Sequence, residues 1–172
     1  MNHLKIDAEN LRVLSRLYTY PEKWPGNGDL HQIASTNDKK WRSPSSENRL
    51  QVLQNSYVSL FINALPEVPC PPYGSFYLEG ILMGQSTVQV KNLYHEYGFQ
   101  TDEVPDHIAV ELEFLAMLST LSTHDPVQQD YDFLLNHLRQ WLPEFFKQVE
   151  LSDDLGFYKE VSRYARHVIF QI

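Results

Sequence analysis

Apolar residues recur three and four positions apart along nearly the whole chain, and that spacing predicts helices rather than strands. In "LKIDAENLRVLSRLYTY", Leu11, Leu14, Leu17 and Tyr18 share one face, and Pro21 ends the run. "SSENRLQVLQNSYVSLFINAL" predicts a second helix capped by Ser45 or Ser46, with Leu50, Leu53, Tyr57, Leu60, Phe61 and Ala64 on one stripe and Pro66 as the stop. The stretch between them, rich in Pro, Gly, Asn and Ser, predicts a long loop with one helical turn near Leu30 to Ala34. Prolines at 66, 69, 71 and 72 forbid regular helix in "PEVPCPPYGSFYLEG", so Tyr73, Phe76 and Tyr77 are expected at a rigid bend.

The second half repeats the pattern. Ser86 or Thr87 is expected to cap a helix through Val90, Leu93, Tyr94 and Tyr97 that ends at Gly98. Pro105 suits a first helical turn, with Ile108, Leu112, Leu115 and Leu118 or Ser119 as the buried face to about Ser122. Asp125 and Pro126 open a further helix through Val127, Tyr131, Leu134, Leu138 and Trp141, expected to stop at Pro143. Ser152 reads as the cap of a last one carrying Leu155, Tyr158, Val161, Ala165 and Val168. "STVQV" is the one β-like run and is too short to seed a sheet. With 172 residues, no internal repeat and no clear boundary, the expected architecture is one all-α, single-domain helical bundle over 1–172.

Charge adds what periodicity lacks. The formal net charge is -8, which argues against a nucleic-acid partner, since phosphate neutralisation needs clustered Lys and Arg. Between Lys91 and Arg139 there is no Lys or Arg, while Glu96, Asp102, Glu103, Asp106, Glu111, Glu113, Asp125, Asp130 and Asp132 fall there. Such a run is either a solvated face that aids solubility or a field that recruits a basic ligand. Charges occupy the N-terminal "MNHLKIDAENLRVL" where an export signal has its apolar stretch, and no segment has the roughly 18 apolar residues of a membrane span. A cytoplasmic protein without stable membrane insertion is therefore expected.

Candidate chemistry is sparse. Cys70 is the single cysteine, and the seven histidines contain no pair at metal-ligand spacing, so no metal or other cofactor is expected. "GQSTV" lacks the second glycine of a nucleophile elbow. Asp106 reads as a carboxylate at a helix start, His107 as a half-buried packing residue, and Glu111 and Glu113 as solvated positions, with Glu111 one turn after His107 and able to pair with it. An acid–base enzyme using Asp106, His107 and Glu111 would need a metal or a nucleophile, and the residues supply neither. Tyr57, Leu60 and Phe61 have the spacing of core residues, and periodicity alone leaves open whether protein or ligand fills that face.

Four blocks together resemble the TorD/DmsD family of redox-enzyme maturation chaperones. They are "YVSLF" at 57–61, "PPYGSFYLEGILMGQST" at 71–87, "EVPDHIAVELEFLAML" at 103–118 and "HLRQWLPEF" at 137–145. The family's aromatic-x-x-Leu-Phe and Glu-x-x-Asp-His signatures stand here as Tyr57, Leu60, Phe61 and as Glu103, Asp106, His107. Where the family pattern often has tryptophan, Tyr57 and Tyr73 replace it, keeping the aromatic face and adding a hydroxyl. The resemblance implies an all-α chaperone, not an enzyme, that binds the twin-arginine signal peptide of a molybdenum-cofactor oxidoreductase precursor and delays its export until the cofactor is inserted. The alternative reading is a folded cytoplasmic enzyme subunit without a signal peptide as client, and the chain is expected as either a monomer or a helix-swapped dimer that covers an exposed apolar groove. On this resemblance Glu103 and Asp106 face the arginine pair, His107 orients or closes the site, and Tyr57, Leu60, Phe61, Tyr73, Ser75 and Tyr77 complete the peptide-binding set.

Overall fold

The structure, a computed structural model, describes residues 5–34, 47–121 and 125–171. In chain order its helices are α1 (Ala8–Leu17), α2 (Asn27–Ala34), α3 (Arg49–Tyr57), α4 (Gly74–Glu79), α5 (Gln85–Glu96), α6 (Ile108–Thr120), α7 (Asp125–Ser152) and α8 (Phe157–Phe170). A π-helical turn, Val58–Ile62, continues α3. Among the described residues there is no strand, and Tyr73 and His107 form an isolated antiparallel bridge. The all-α class expected from the periodicity is what the chain adopts. Among the described residues no helix is long and apolar enough to cross a membrane.

The chain divides into two compact units, each drawn from two separated stretches: 1–18 with 73–142, and 19–72 with 143–172. In the first, α6 is the central helix. Ile108, Ala109, Val110, Glu111, Leu112, Phe114, Leu115, Ala116 and Leu118 are all buried, so it is enclosed on nearly every side rather than along one stripe. Helix α1 begins where the Asp7 carboxylate accepts the N–H groups of Glu9 and Asn10, and buries Leu11, Leu14 and Leu17 as predicted. It is tied to α6 by the Ser15 hydroxyl, which donates to the Ala109 carbonyl at 2.7 Å.

In the second unit, α3 buries Leu53 and Tyr57, and the helical ladder then widens: the Asn63 N–H donates to the Val58 carbonyl, five residues back, at 2.8 Å. This π turn carries Leu60 and Phe61 into the core beside Tyr57, and the helix ends at Ile62, short of the expected stop at Pro66. The expected Ser45 or Ser46 cap lies outside the described residues. Helix α2 packs on α8 and starts at Asn27, earlier than the single turn expected near Leu30.

Several expected boundaries are corrected. Residues 74–79 form helix α4 rather than a bend alone. Helix α5 starts after Gly84, and its first N–H groups are taken by the Glu79 carboxylate; Ser86 and Thr87 lie inside the helix. Asp106 and His107 precede α6 instead of forming its first turn. Helix α7 runs through Pro143 to Ser152, where the missing N–H of proline removes one ladder bond but Phe145, Phe146 and Val149 are buried beyond it. Ser152 therefore ends α7. The turn into α8 is built by Asp153, whose carboxylate accepts the N–H groups of Leu155 at 3.1 Å and Lys159 at 3.0 Å, and by Gly156 at φ +86°.

Candidate functional site

The Glu103–His107 segment folds back onto the start of α4. The Gly74 N–H donates to the Asp106 carbonyl at 3.0 Å, and the Ser75 N–H donates to Asp106 Oδ2 at 2.7 Å. Asp106 thus satisfies two N–H groups of a helix 31 positions earlier in sequence. It is completely buried, and its second oxygen, Oδ1, has no hydrogen-bond partner. An unpaired buried carboxylate oxygen is costly.

His107 caps α6. Its Nδ1 accepts the Ala109 N–H at 3.1 Å, which places the ring proton of the neutral form on Nε2. Burial pushes its pKa down to about 4, against the opposing charges of Glu103 and Asp106. The Tyr73 ring meets the His107 ring edge-on, with centroids 5.3 Å apart. Tyr73 is half-buried, and burial followed by the charges of Glu103 and Asp106 raises its pKa. Glu103 itself is exposed, and its Oε1 accepts the neighbouring Val104 N–H at 2.9 Å.

Beneath this layer lies a buried polar cluster. Glu111 is fully buried; its Oε1 is 2.8 Å from His137 Nε2, and its Oε2 accepts from Trp141 Nε1 at 3.3 Å. Burial raises the Glu111 pKa against the pull of His137. Burial alone would lower His137, but the charge of Glu111 outweighs it and the net shift is upward, so the pair holds a proton between them. A Cβ on Gly74 would lie 3.0 Å from both His137 Nε2 and Trp141 Nε1, tighter than an ordinary contact, so a side chain there would require the rings or α4 to shift. Tyr77 stacks on Trp141 at a centroid distance of 5.6 Å.

The acidic run divides accordingly. Glu96, Asp102, Glu103, Glu113 and Asp125 are exposed, Asp130 and Asp132 are half-buried, and Asp106 and Glu111 are buried. Glu111 is not the solvated residue expected from periodicity, and its partner is His137 rather than His107.

Of the residues predicted for the site, Tyr73, Ser75, Asp106 and His107 come together at the junction of α4 and α6. Glu103 stands at the surface a few residues before them, and Tyr77 joins through Trp141. Tyr57, Leu60 and Phe61 belong to the second unit and are buried there: Phe61 packs edge-on against Tyr57 and Tyr158, each with centroids 5.0 Å apart. Sequence reasoning missed Gly74, Glu79, Glu111, His137 and Trp141 as site-building residues. His137 and Trp141 stand one helical turn apart on α7, a spacing that marks two polar-tipped rings on one face.

Comparison with known proteins agrees with this architecture. The family model for the nitrate reductase delta subunit matches residues 27–147. The chaperone TorD of Vibrio parahaemolyticus is 31% identical over 106 residues, covering 54% of this chain and 49% of that protein. A protein of Haemophilus influenzae designated as the Tat proofreading chaperone DmsD is 31% identical over 118 residues, covering 65% of this chain and 56% of its own. The chain spans about half the length of the curated relatives it matches. A crystal structure of a candidate redox enzyme maturation protein from Archaeoglobus fulgidus superposes with a TM-score of 0.63 at 29% identity, covering 96% of this chain and 94% of that one. This chain belongs to the nitrate reductase delta subunit family, within which it is a member of the TorD/DmsD group.

Proposed function

We propose that this protein is a cytoplasmic redox-enzyme maturation chaperone, and that its first unit receives the twin-arginine signal peptide of a molybdenum-cofactor oxidoreductase precursor, delaying export until the cofactor is in place. Its relatives are named chaperones, which supports a binding role over a catalytic one. The observation that carries the site assignment is the Asp106 carboxylate: buried, with Oδ2 held by Ser75 and Oδ1 unpartnered, inside an acidic stretch that contains no Lys or Arg. A guanidinium N–H would satisfy Oδ1, and Glu103 at the surface offers a first contact on the way in. Because Asp106 is fully enclosed, the side chains around it move aside when an arginine enters. His107, neutral and fixed by its cap bond, adds no competing positive charge there.

Electrostatics alone does not suffice. Two charge-assisted contacts are worth about 3 to 6 kcal/mol, and ordering a disordered segment takes back about 2 to 5 kcal/mol. Micromolar affinity needs about 8 kcal/mol, so roughly 200 to 300 Å² of buried apolar surface, at about 25 cal/mol per Å², must supply most of it.

The experiment is affinity capture of this chain from cells that also express a molybdenum-cofactor oxidoreductase precursor, with or without its signal peptide. Recovery that depends on the signal peptide supports the reading. Equal recovery of both forms would move the binding determinant to the folded enzyme subunit and overturn the signal-peptide part.

A further inference from the structure

The turn between α4 and α5 holds three consecutive large apolar side chains out in solvent. Ile81 is 58% exposed, Leu82 56% and Met83 69%, with Phe76 before them and Val88 after them also exposed. Single exposed apolar residues are ordinary, but a run of three with two flanking ones is a patch.

This turn is pinned at both ends. Gly80, at φ +72°, closes α4 and donates its N–H to the Phe76 carbonyl at 3.0 Å. Met83 has φ +58°, a region that a long side chain rarely adopts, and its N–H donates to the buried Ser75 hydroxyl at 3.1 Å. On the far side the Glu79 carboxylate lies where any Cβ on Gly84 would stand, and binds the first N–H groups of α5. A turn under no demand but solubility would place glycine or asparagine at the left-handed position. Here methionine occupies it, and the backbone is fixed so that the apolar side chains point away from the unit.

Ser75 links the patch to the acidic site, because the same residue that anchors Met83 donates its N–H to Asp106 Oδ2. The partner must therefore suit an apolar turn lying one residue away from a buried carboxylate, in a unit whose 92–138 segment has nine acids and no Lys or Arg. An anionic lipid surface is repelled by that charge, and so is a second copy of this chain, with its own net charge of -8. A segment that is basic at one end and apolar beyond it fits both features.

We propose that residues 80–83, flanked by Phe76 and Val88, form the docking surface for the apolar stretch that follows the arginine pair of the signal peptide. The assignment rests on the signal-peptide reading above and adds to it the place where the non-charged part of the ligand lies.

The test uses the full chain, the double variant Ile81→Asn/Leu82→Asn, and Met83→Gly, which keeps the left-handed turn and removes only the side chain. Each is titrated with a twin-arginine signal peptide and with a peptide that keeps the arginine pair but has its apolar stretch replaced by Ser and Gly. The double variant should lose at least tenfold in affinity for the complete peptide, and Met83→Gly about threefold, while binding of the arginine-only peptide is unchanged. Unchanged affinity for the complete peptide, or an equal loss for both peptides, overturns the inference; if the double variant does not fold, Met83→Gly decides. Peptide affinity that survives while self-association is lost would mark a second copy as the occupant and also overturn it. If the parent protein binds neither peptide, the signal-peptide reading fails and takes this inference with it. If it binds both equally, the inference alone falls.

Discussion

The backbone N–H of Ser75 donates to Asp106 Oδ2 across 31 positions of sequence, so the start of α4 is capped by the segment that precedes α6. The residue most exposed to suspicion as a ligand-binding carboxylate is thus also a structural one. Its two oxygens divide the roles: Oδ2 holds α4, and Oδ1 is left without a partner.

Replacing Asp106 with alanine removes the cap and should cost about 1 to 2 kcal/mol of stability. Asp106→Asn keeps an acceptor for the Ser75 N–H and should cost less, while removing the charge. Urea unfolding of the three proteins checks the order; an alanine variant as stable as the parent would contradict the capping role.

Gly74→Ala should destabilise by about 1 to 3 kcal/mol, because its methyl group meets the His137 and Trp141 rings, which are themselves fixed by Glu111. Gly26, with open space around it, provides the control, and Gly26→Ala should change stability by no more than about 0.5 kcal/mol. Thermal melting of both variants makes the comparison.

The helical stripes of α1 and α8 could be read from spacing because each buries residues that local periodicity sets. Helix α4 could not. Its first N–H groups are satisfied by the main-chain carbonyl and the carboxylate of Asp106, far along the chain, and four prolines precede it, so local signals read as a bend. Glu111 was misplaced for a different reason: α6 is buried on nearly all sides, and a stripe argument assumes one wet face. Pro143 read as a stop, yet the buried residues beyond it carry α7 onward. At the candidate site the Glu103, Asp106, His107 signature was legible from resemblance, whereas its support by Gly74, Glu111, His137 and Trp141 depends on contacts that no spacing rule reports.

His107 makes stability depend on acid pH. Its folded pKa of about 4 lies below the ordinary 6.5, so the unfolded chain binds the proton more readily. The stabilisation from its neutral form is present above the unfolded value and is lost as pH falls through the window from 6.5 to 4, by up to about 3 kcal/mol. In His107→Asn the amide oxygen can still accept the Ala109 N–H, and the difference between parent and variant should shrink or invert as the pH is lowered through that window. Urea midpoints at a series of pH values test this; parallel profiles would contradict it.

The Glu111–His137 pair should behave as one unit. Removing either partner leaves the other buried without its match, at a cost of about 3 to 5 kcal/mol, and a double-mutant cycle should return a coupling of about 1 to 3 kcal/mol. Both folded pKa values are raised, so the folded state keeps its protons to higher pH than the unfolded chain. The pair's contribution is therefore full below the ordinary values and declines as pH rises through the folded ones. A contribution that grew with pH would be the wrong sign.

The most direct measurement is calorimetric titration of the protein and of Asp106→Asn with a synthetic twin-arginine signal peptide at two salt concentrations, beside a control peptide with both arginines changed to alanine. Binding to the parent should be salt-sensitive, binding of the control peptide should be lost, and Asp106→Asn should bind more weakly with a flatter salt dependence. Equal affinity of parent and folded variant, or equal affinity for peptide and control, would contradict the claim that the Asp106 carboxylate receives the arginine pair.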